Sequence, residues 1–139
     1  MNDLPFSKEI LRLAANAVGT GRLEAPSASA TLISPVCGDR VTIDMTLEGD
    51  KITRFAHEER ACVLCQASAS ILGDILPGRD VNDISKLINQ VTAMLTEEGS
   101  TPAAPWQDYG AFAPVRGHKS RHKCVLLPLE AIEEALAEA

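Results

Sequence analysis

The sequence predicts an α+β fold, and three observations carry that prediction. First, Arg40 to Glu48 alternates apolar Val41, Ile43, Met45 and Leu47 with polar Thr42, Asp44, Thr46 and Glu48. That is the period-two pattern of a half-buried strand. Gly49-Asp50 supplies a turn, and Lys51 to His57 returns as the partner strand of a hairpin. Second, several stretches around this hairpin carry apolar residues at helical spacing. Third, 45% of the residues are hydrophobic but only 4% aromatic, so the core is built from Ala, Leu, Ile and Val. A chain of 139 residues is read as one domain over 1–139, long enough to bury a real core.

In chain order, Phe6, Ile10, Leu13, Ala14, Ala17 and Val18 form the stripe of a first helix over residues 6–18, stopped by Gly19 and Gly21. Gly21 to Ser29 is a linker, and a short strand is expected from Ala30 to Ser34. After the hairpin a helix begins near Cys62, with Leu64, Ala67, Ser68, Ile71, Leu72 and Ile75 on one face, ending before Pro77-Gly78. Its small middle residues, Gln66-Ala67-Ser68-Ala69-Ser70, leave room for another element to approach closely. A further helix, about Val81 to Thr96, turns Ile84, Leu87, Ile88, Val91, Met94 and Leu95 to one side, with Asp80 or Asn82 as cap and Gly99 as its end. From Glu97 to Ser120 no period is visible; three prolines, three glycines, Trp106 and Tyr109 make this segment read as a functional or mobile loop. The last helix is expected from about Leu126 to Ala137, with Pro128 in its first turn.

Charge and cysteine usage narrow the function. A net charge of −6 argues against nucleic-acid binding, the basic run of Arg116, His118, Lys119, Arg121, His122 and Lys123 being a local exception. No stretch approaches the roughly 18 apolar residues of a membrane span, and no charged-then-apolar leader opens the chain. A soluble cytoplasmic protein, most simply a monomer, is expected. In that reducing compartment the four cysteines favour metal or sulfur chemistry over disulfides.

Cys62 and Cys65 are three apart at a predicted helix start, where the free amides and the dipole stabilise a thiolate. Cys124 is placed just ahead of the last helix with the same help. Cys37-Gly38-Asp39 joins a thiolate and a carboxylate, with Gly38 allowing a sharp turn between them. Cys37, Asp39, Cys62 and Cys124 would give a tetrahedral zinc site of three sulfurs and one oxygen. Cys65 in place of Asp39 gives an all-thiolate set, equally acceptable to zinc or to an iron–sulfur cluster. A thioredoxin-like redox pair at Cys62/Cys65 is the competing reading, disfavoured because a hairpin rather than a βαβ unit precedes it. His57 reads as a solvated strand end, and His122 as an alternative ligand beside Cys124.

At these residues the chain resembles the iron–sulfur scaffold family: the N-terminal domain of NifU and its IscU and SufU relatives. Pro35-Val36-Cys37-Gly38-Asp39, Cys62 followed by Ala67-Ser68-Ala69-Ser70, and Cys124 before the terminal helix occur in the family's order. The resemblance implies a three-stranded antiparallel sheet with helices packed on it, the SufE/NifU-like scaffold fold. It is closest to the SufU branch, which carries an insertion where residues 97–120 fall and Arg-x-Lys-Cys where Arg121-His122-Lys123-Cys124 stands. The chain departs from the family pattern at Ser34, Ala61 and Cys65, the last standing where a serine is common.

The resemblance further implies a zinc-bound sulfur acceptor, a relay or scaffold rather than a stand-alone enzyme. Cys37, Asp39, Cys62 and Cys124 would bind the metal. Cys37 would then leave it to take persulfide sulfur from a SufS-type cysteine desulfurase, for onward delivery to iron–sulfur acceptor or scaffold proteins. A scaffold for a transient [2Fe–2S] cluster is the second reading. A binding module whose metal only ties the fold together is the third.

Overall fold

The computed structural model describes residues 7–35, 38–97 and 100–138. Helix α1, Lys8–Asn16, starts where the Ser7 hydroxyl accepts the Ile10 amide at 3.2 Å. It buries Ile10, Leu13 and Ala14, and ends at Ala17 in the left-handed region rather than at the glycines beyond. Three strands follow, β1 (Ala28–Ile33), β2 (Arg40–Glu48) and β3 (Lys51–Arg60), in an antiparallel sheet of order β1-β2-β3. The fold class expected from the sequence is the one observed.

Strand β2 has the span that its alternation predicts, with Val41, Ile43 and Met45 fully buried. Strand β3 runs on past His57 to Arg60, because Glu58, Glu59 and Arg60 continue the pairing with Thr42, Val41 and Arg40. Backbone pairing does not depend on the polarity of those side chains. His57 is therefore not a solvated strand end. It is fully buried, with Nδ1 2.7 Å from Glu59 Oε2 and Nε2 2.7 Å from the Val18 carbonyl. Beside it the chain at Gly19–Gly21 hydrogen-bonds along the outer edge of β3, which covers that edge.

Helix α2, Val63–Ile75, is buried on nearly every side from Leu64 to Gly73. Its small residues allow the close approach expected of them: the Val18 amide donates to Ser70 Oγ at 3.1 Å. A Cβ on Gly73 would lie 1.9 Å from the Val18 carbonyl oxygen, so only glycine fits there. Helix α3, Asn82–Thr96, buries Ile84, Leu87, Val91, Met94 and Leu95; the expected stop at Gly99 lies outside the described residues, as does Phe6. Asp80 accepts the Asn82 amide at 2.8 Å near the start of α3.

Two expectations for the C-terminal third are corrected. The region read as a functional or mobile loop contains a 3-10 segment, Gln107–Gly117, that buries Tyr109, Phe112 and Val115, with Trp106 buried just before it. The spacing of three among these residues is the 3-10 repeat, which a search for the α-helical period passes over. Helix α4 spans Lys119–Ala137, beginning well before Leu126, so Cys124 lies inside it and not ahead of it. The basic residues Lys119 to Lys123 are good helix formers, and the buried row beginning at Cys124 and Val125 holds the first turns against the core. Pro128 consequently sits mid-helix, buried, where it supplies no N–H to the carbonyl of Cys124 four residues earlier. Helix α4 crosses β1 and β2 and touches α2, α3 and the 3-10 segment, so it closes the core over the inner face of the sheet.

Candidate metal centre

The two ends of the β2–β3 hairpin that lie opposite its turn lead into the site. Asp39 immediately precedes β2, and Cys62 follows β3 as the N-cap residue of α2. Ahead of β2, the Ser34 N–H donates to the Asp39 carbonyl and the Gly38 N–H to the Ser34 carbonyl, each at 2.8 Å. Gly38 takes φ +76 there, the left-handed conformation that a residue with a Cβ enters at a cost. Helix α4 brings Cys124 from the opposite direction. The result is that one donor atom each from Asp39, Cys62 and Cys124 lie within 4.8 Å of one another.

The Asp39 carboxylate is buried and unevenly used. Oδ1 accepts the Cys62 amide at 3.2 Å, whereas Oδ2 is buried with no hydrogen-bond partner among the described residues. A buried carboxylate oxygen without a donor costs free energy unless a cation or donor meets it. The Cys62 thiol is lowered to about 7. The largest cause is a hydrogen bond from the Cys124 thiol, and the Cys65 amide of α2 adds to it; burial and the neighbouring Asp39 carboxylate act the other way. Two sulfurs and one oxygen, one sulfur already inclined to the thiolate, are a donor set that suits zinc, whose tetrahedron takes one ligand more.

The structure separates the predicted site residues. Asp39, Cys62 and Cys124 come together. Cys65 is fully buried in α2, outside that cluster, among core residues and close enough to Tyr109 to help raise its pKa. His122 is directed elsewhere, its Nε2 2.9 Å from the Arg116 carbonyl and 3.2 Å from that of Val115. Cys37 lies outside the described residues. The help expected for Cys124 from a following helix N-terminus does not arise, since it sits in the second turn of α4; only Cys62 has that position. Residue patterning gave no sign of the buried bridge behind the site, in which Ser68 Oγ donates to the Val125 carbonyl at 2.8 Å and lies 2.9 Å from the Tyr109 hydroxyl. It ties α2 to α4 next to the two elements' cysteines. Its sequence signal is only that a serine and a tyrosine stand in otherwise apolar rows.

Comparison with known proteins places this arrangement. The family model described as NifU-like N terminal domain matches residues 5–138, and the chain belongs to that family of iron–sulfur cluster assembly scaffolds. A relative from Bacillus subtilis (strain 168), the "Zinc-dependent sulfurtransferase SufU", is 27% identical over 76% of this chain and 71% of its own. The "Iron-sulfur cluster assembly scaffold protein IscU" of Thermotoga maritima is 25% identical over 94% and 92% of the two chains. Among solved structures, a NifU-like protein (N-terminal) from Brucella abortus superimposes with TM-score 0.90 at 34% identity, covering 94% of this chain and 91% of that one. A scaffold protein from Fervidobacterium islandicum has the same fold, with TM-score 0.86 at 23% identity, covering 95% of this chain and 96% of that one. No helix among the described residues is long and apolar enough to cross a membrane.

Proposed function

We propose that this chain is a zinc-bound sulfur acceptor of the SufU kind, taking persulfide sulfur from a SufS-type cysteine desulfurase. The observation that carries it is the convergence of Asp39, Cys62 and Cys124, with Asp39 Oδ2 buried and awaiting a partner. Zinc bound there would hold thiolates deprotonated and shielded from oxidation. Asp39, Cys62 and Cys124 are the ligands, with Cys37, two residues before Asp39, as the fourth. Cys65 is left out of the ligand set because it is buried among core residues outside the cluster.

Cys37 is the acceptor. Its thiolate attacks the outer sulfur of the desulfurase persulfide; a new S–S bond forms on Cys37, the old one breaks, and the desulfurase cysteine departs as thiolate. Asp39 and the Cys62 amide hold the entry to β2 in place while this happens. The SufU relative named as a zinc-dependent sulfurtransferase supports this assignment, and so does Arg121-His122-Lys123-Cys124. The chain then works as one domain over 1–139, a monomer of the cytoplasm, with 97–120 as the branch's insertion.

Incubation with a cysteine desulfurase and cysteine, followed by intact-mass and peptide analysis, should find one sulfur added at Cys37. If Cys37→Ser accelerates desulfurase turnover as well as the unaltered protein does, Cys37 is not the acceptor. The second reading, a scaffold for a transient [2Fe–2S] cluster, is favoured by the IscU relative. Anaerobic reconstitution followed by visible and Mössbauer spectra separates the two, and elemental analysis of protein purified without added metal shows which occupant it keeps.

A further inference from the structure

The site end of the sheet carries a surface that the metal centre does not use. Arg40 and Arg60 are directly opposite each other on β2 and β3, and Ile33 of β1 is opposite Arg40, so all three side chains leave the outer face in one row. Arg40 and Arg60 are the strand residues next to the site, since Asp39 precedes Arg40 and Cys62 follows Arg60 by two residues, and Ile33 is paired with Arg40. Ile33 is 61% exposed, more than any other large hydrophobic side chain among the described residues. Neither guanidinium has a hydrogen-bond or ion-pair partner among the described residues.

Like charges directly opposite on paired strands destabilise a sheet, so the fold gains nothing from this pair. Among the described residues neither nearby acid is within ion-pair distance of either arginine. Glu59 is taken by His57, and Glu58 lies toward Arg22, whose charge it supports. Arg40 and Arg60 instead line, with Thr20, Thr42, Glu58 and Glu59, an open concavity of about 400 Å³. In a chain of net charge −6, two arginines with no ion-pair partner among the described residues, beside an exposed isoleucine, form a local spot of unpaired guanidinium groups and apolar surface at the rim of a concavity that Glu58 and Glu59 also line. Its complement is a protein face that presents carboxylates next to an apolar side chain.

We infer that the row Ile33–Arg40–Arg60 is a docking surface for an acidic face of the sulfur donor. This rests on the sulfur-acceptor reading above and adds to it where the donor sits. The donor's carboxylates meet the two guanidinium groups at the rim of the concavity. Ile33 packs against an apolar side chain between them. Docking there brings the partner to the end of the sheet next to Asp39 and Cys62.

The test measures association of the zinc-loaded chain with a SufS-type cysteine desulfurase by biolayer interferometry at low and high salt. The variants are Arg40→Glu/Arg60→Glu, the milder Arg40→Gln/Arg60→Gln, and Ile33→Ser. Arg54→Glu is the control, an exposed arginine of β3 far from the site. Zinc content and thermal melting show that each variant is folded and loaded. Charge reversal should slow association about tenfold or more at low salt and flatten its salt dependence, with neutralisation giving a smaller effect of the same kind. Ile33→Ser should speed dissociation, and Arg54→Glu should match the unaltered chain. Binding of both double variants at the unaltered rate overturns the docking surface and leaves the acceptor reading standing. No association of the unaltered chain at any salt overturns both.

Discussion

Asp39 and Asp44 stand five residues apart on one strand-length of chain, both buried, and the protein treats them in opposite ways. Asp44 is fully satisfied. Oδ2 accepts from Arg22 Nε at 2.6 Å and from the Leu23 amide at 3.0 Å. Oδ1 accepts from Ser29 Oγ at 2.6 Å and from Arg22 Nη2 at 3.2 Å. Among the described residues Asp39 accepts from the Cys62 amide through Oδ1, and its buried Oδ2 has no hydrogen-bond partner. A carboxylate that closes its own shell holds structure together, here by tying the chain after α1 to the outer face of β2. One that keeps an oxygen free holds a place for something else. The same residue type is fully bonded in the middle of β2 and left with a bare oxygen just before its start.

Breaking each carboxylate in turn is the sharpest test of that difference. Asp44→Ala strips partners from a buried amide and a hydroxyl and should cost about 3 kcal/mol of stability in metal-free protein, read by urea unfolding. Asp39→Ala should change metal-free stability by less than about 1 kcal/mol. It should nevertheless weaken zinc binding about a hundredfold or more, since even groups behind a ligand are worth about ten- to a hundredfold. Equal losses of stability in the two variants would erase the distinction.

Acid should separate the two by another route. Burial on its own would raise the Asp44 pKa, but hydrogen bonds from Arg22, Ser29 and the Leu23 amide, with the charge of Arg22, leave it lowered. A carboxylate lowered on folding adds stability above its ordinary range near about 4, and that stability is lost as pH falls through the folded value. Asp44→Asn should therefore flatten the acid side of the stability curve, measured by thermal melting from neutral pH downwards.

The cysteines three apart on α2 offer a smaller contrast of the same kind. Cys62, half-buried and lowered to about 7, should be alkylated by iodoacetamide in metal-free protein with a midpoint near that pH. Cys65, fully buried, should react only on unfolding. Peptide mapping after timed exposure checks both, and Cys65→Ser should leave the zinc content unchanged. Least of all, Tyr109→Phe removes the hydroxyl from the Ser68 bridge and should cost about 1 kcal/mol, without loss of metal.

Local periodicity was enough for much of the fold. The alternation from Arg40 to Glu48 yields β2 to the residue, and the stripes of Leu64 to Ile75 and Ile84 to Leu95 yield α2 and α3, because burying one face imposes its own repeat. Where pairing or packing acts across the chain, sequence was silent. Glu58-Glu59-Arg60 extends β3 only because β2 lies alongside, and Lys119 to Lys123 is helical because Cys124 and the residues after it are drawn into the core. For the site, residue type and order marked Cys37, Asp39, Cys62, Cys65 and Cys124 as one group and left the choice between Asp39 and Cys65 open; Cys37 lies outside the described residues. Tertiary structure separated Asp39 from Cys65. The position of Asp39 just before β2 puts a carboxylate oxygen beside Cys62 and Cys124, while the first turn of α2 directs Cys65 into the core. Spacing along a chain says which donors are near in sequence; only the crossing of α4 over the sheet decides which are near in space.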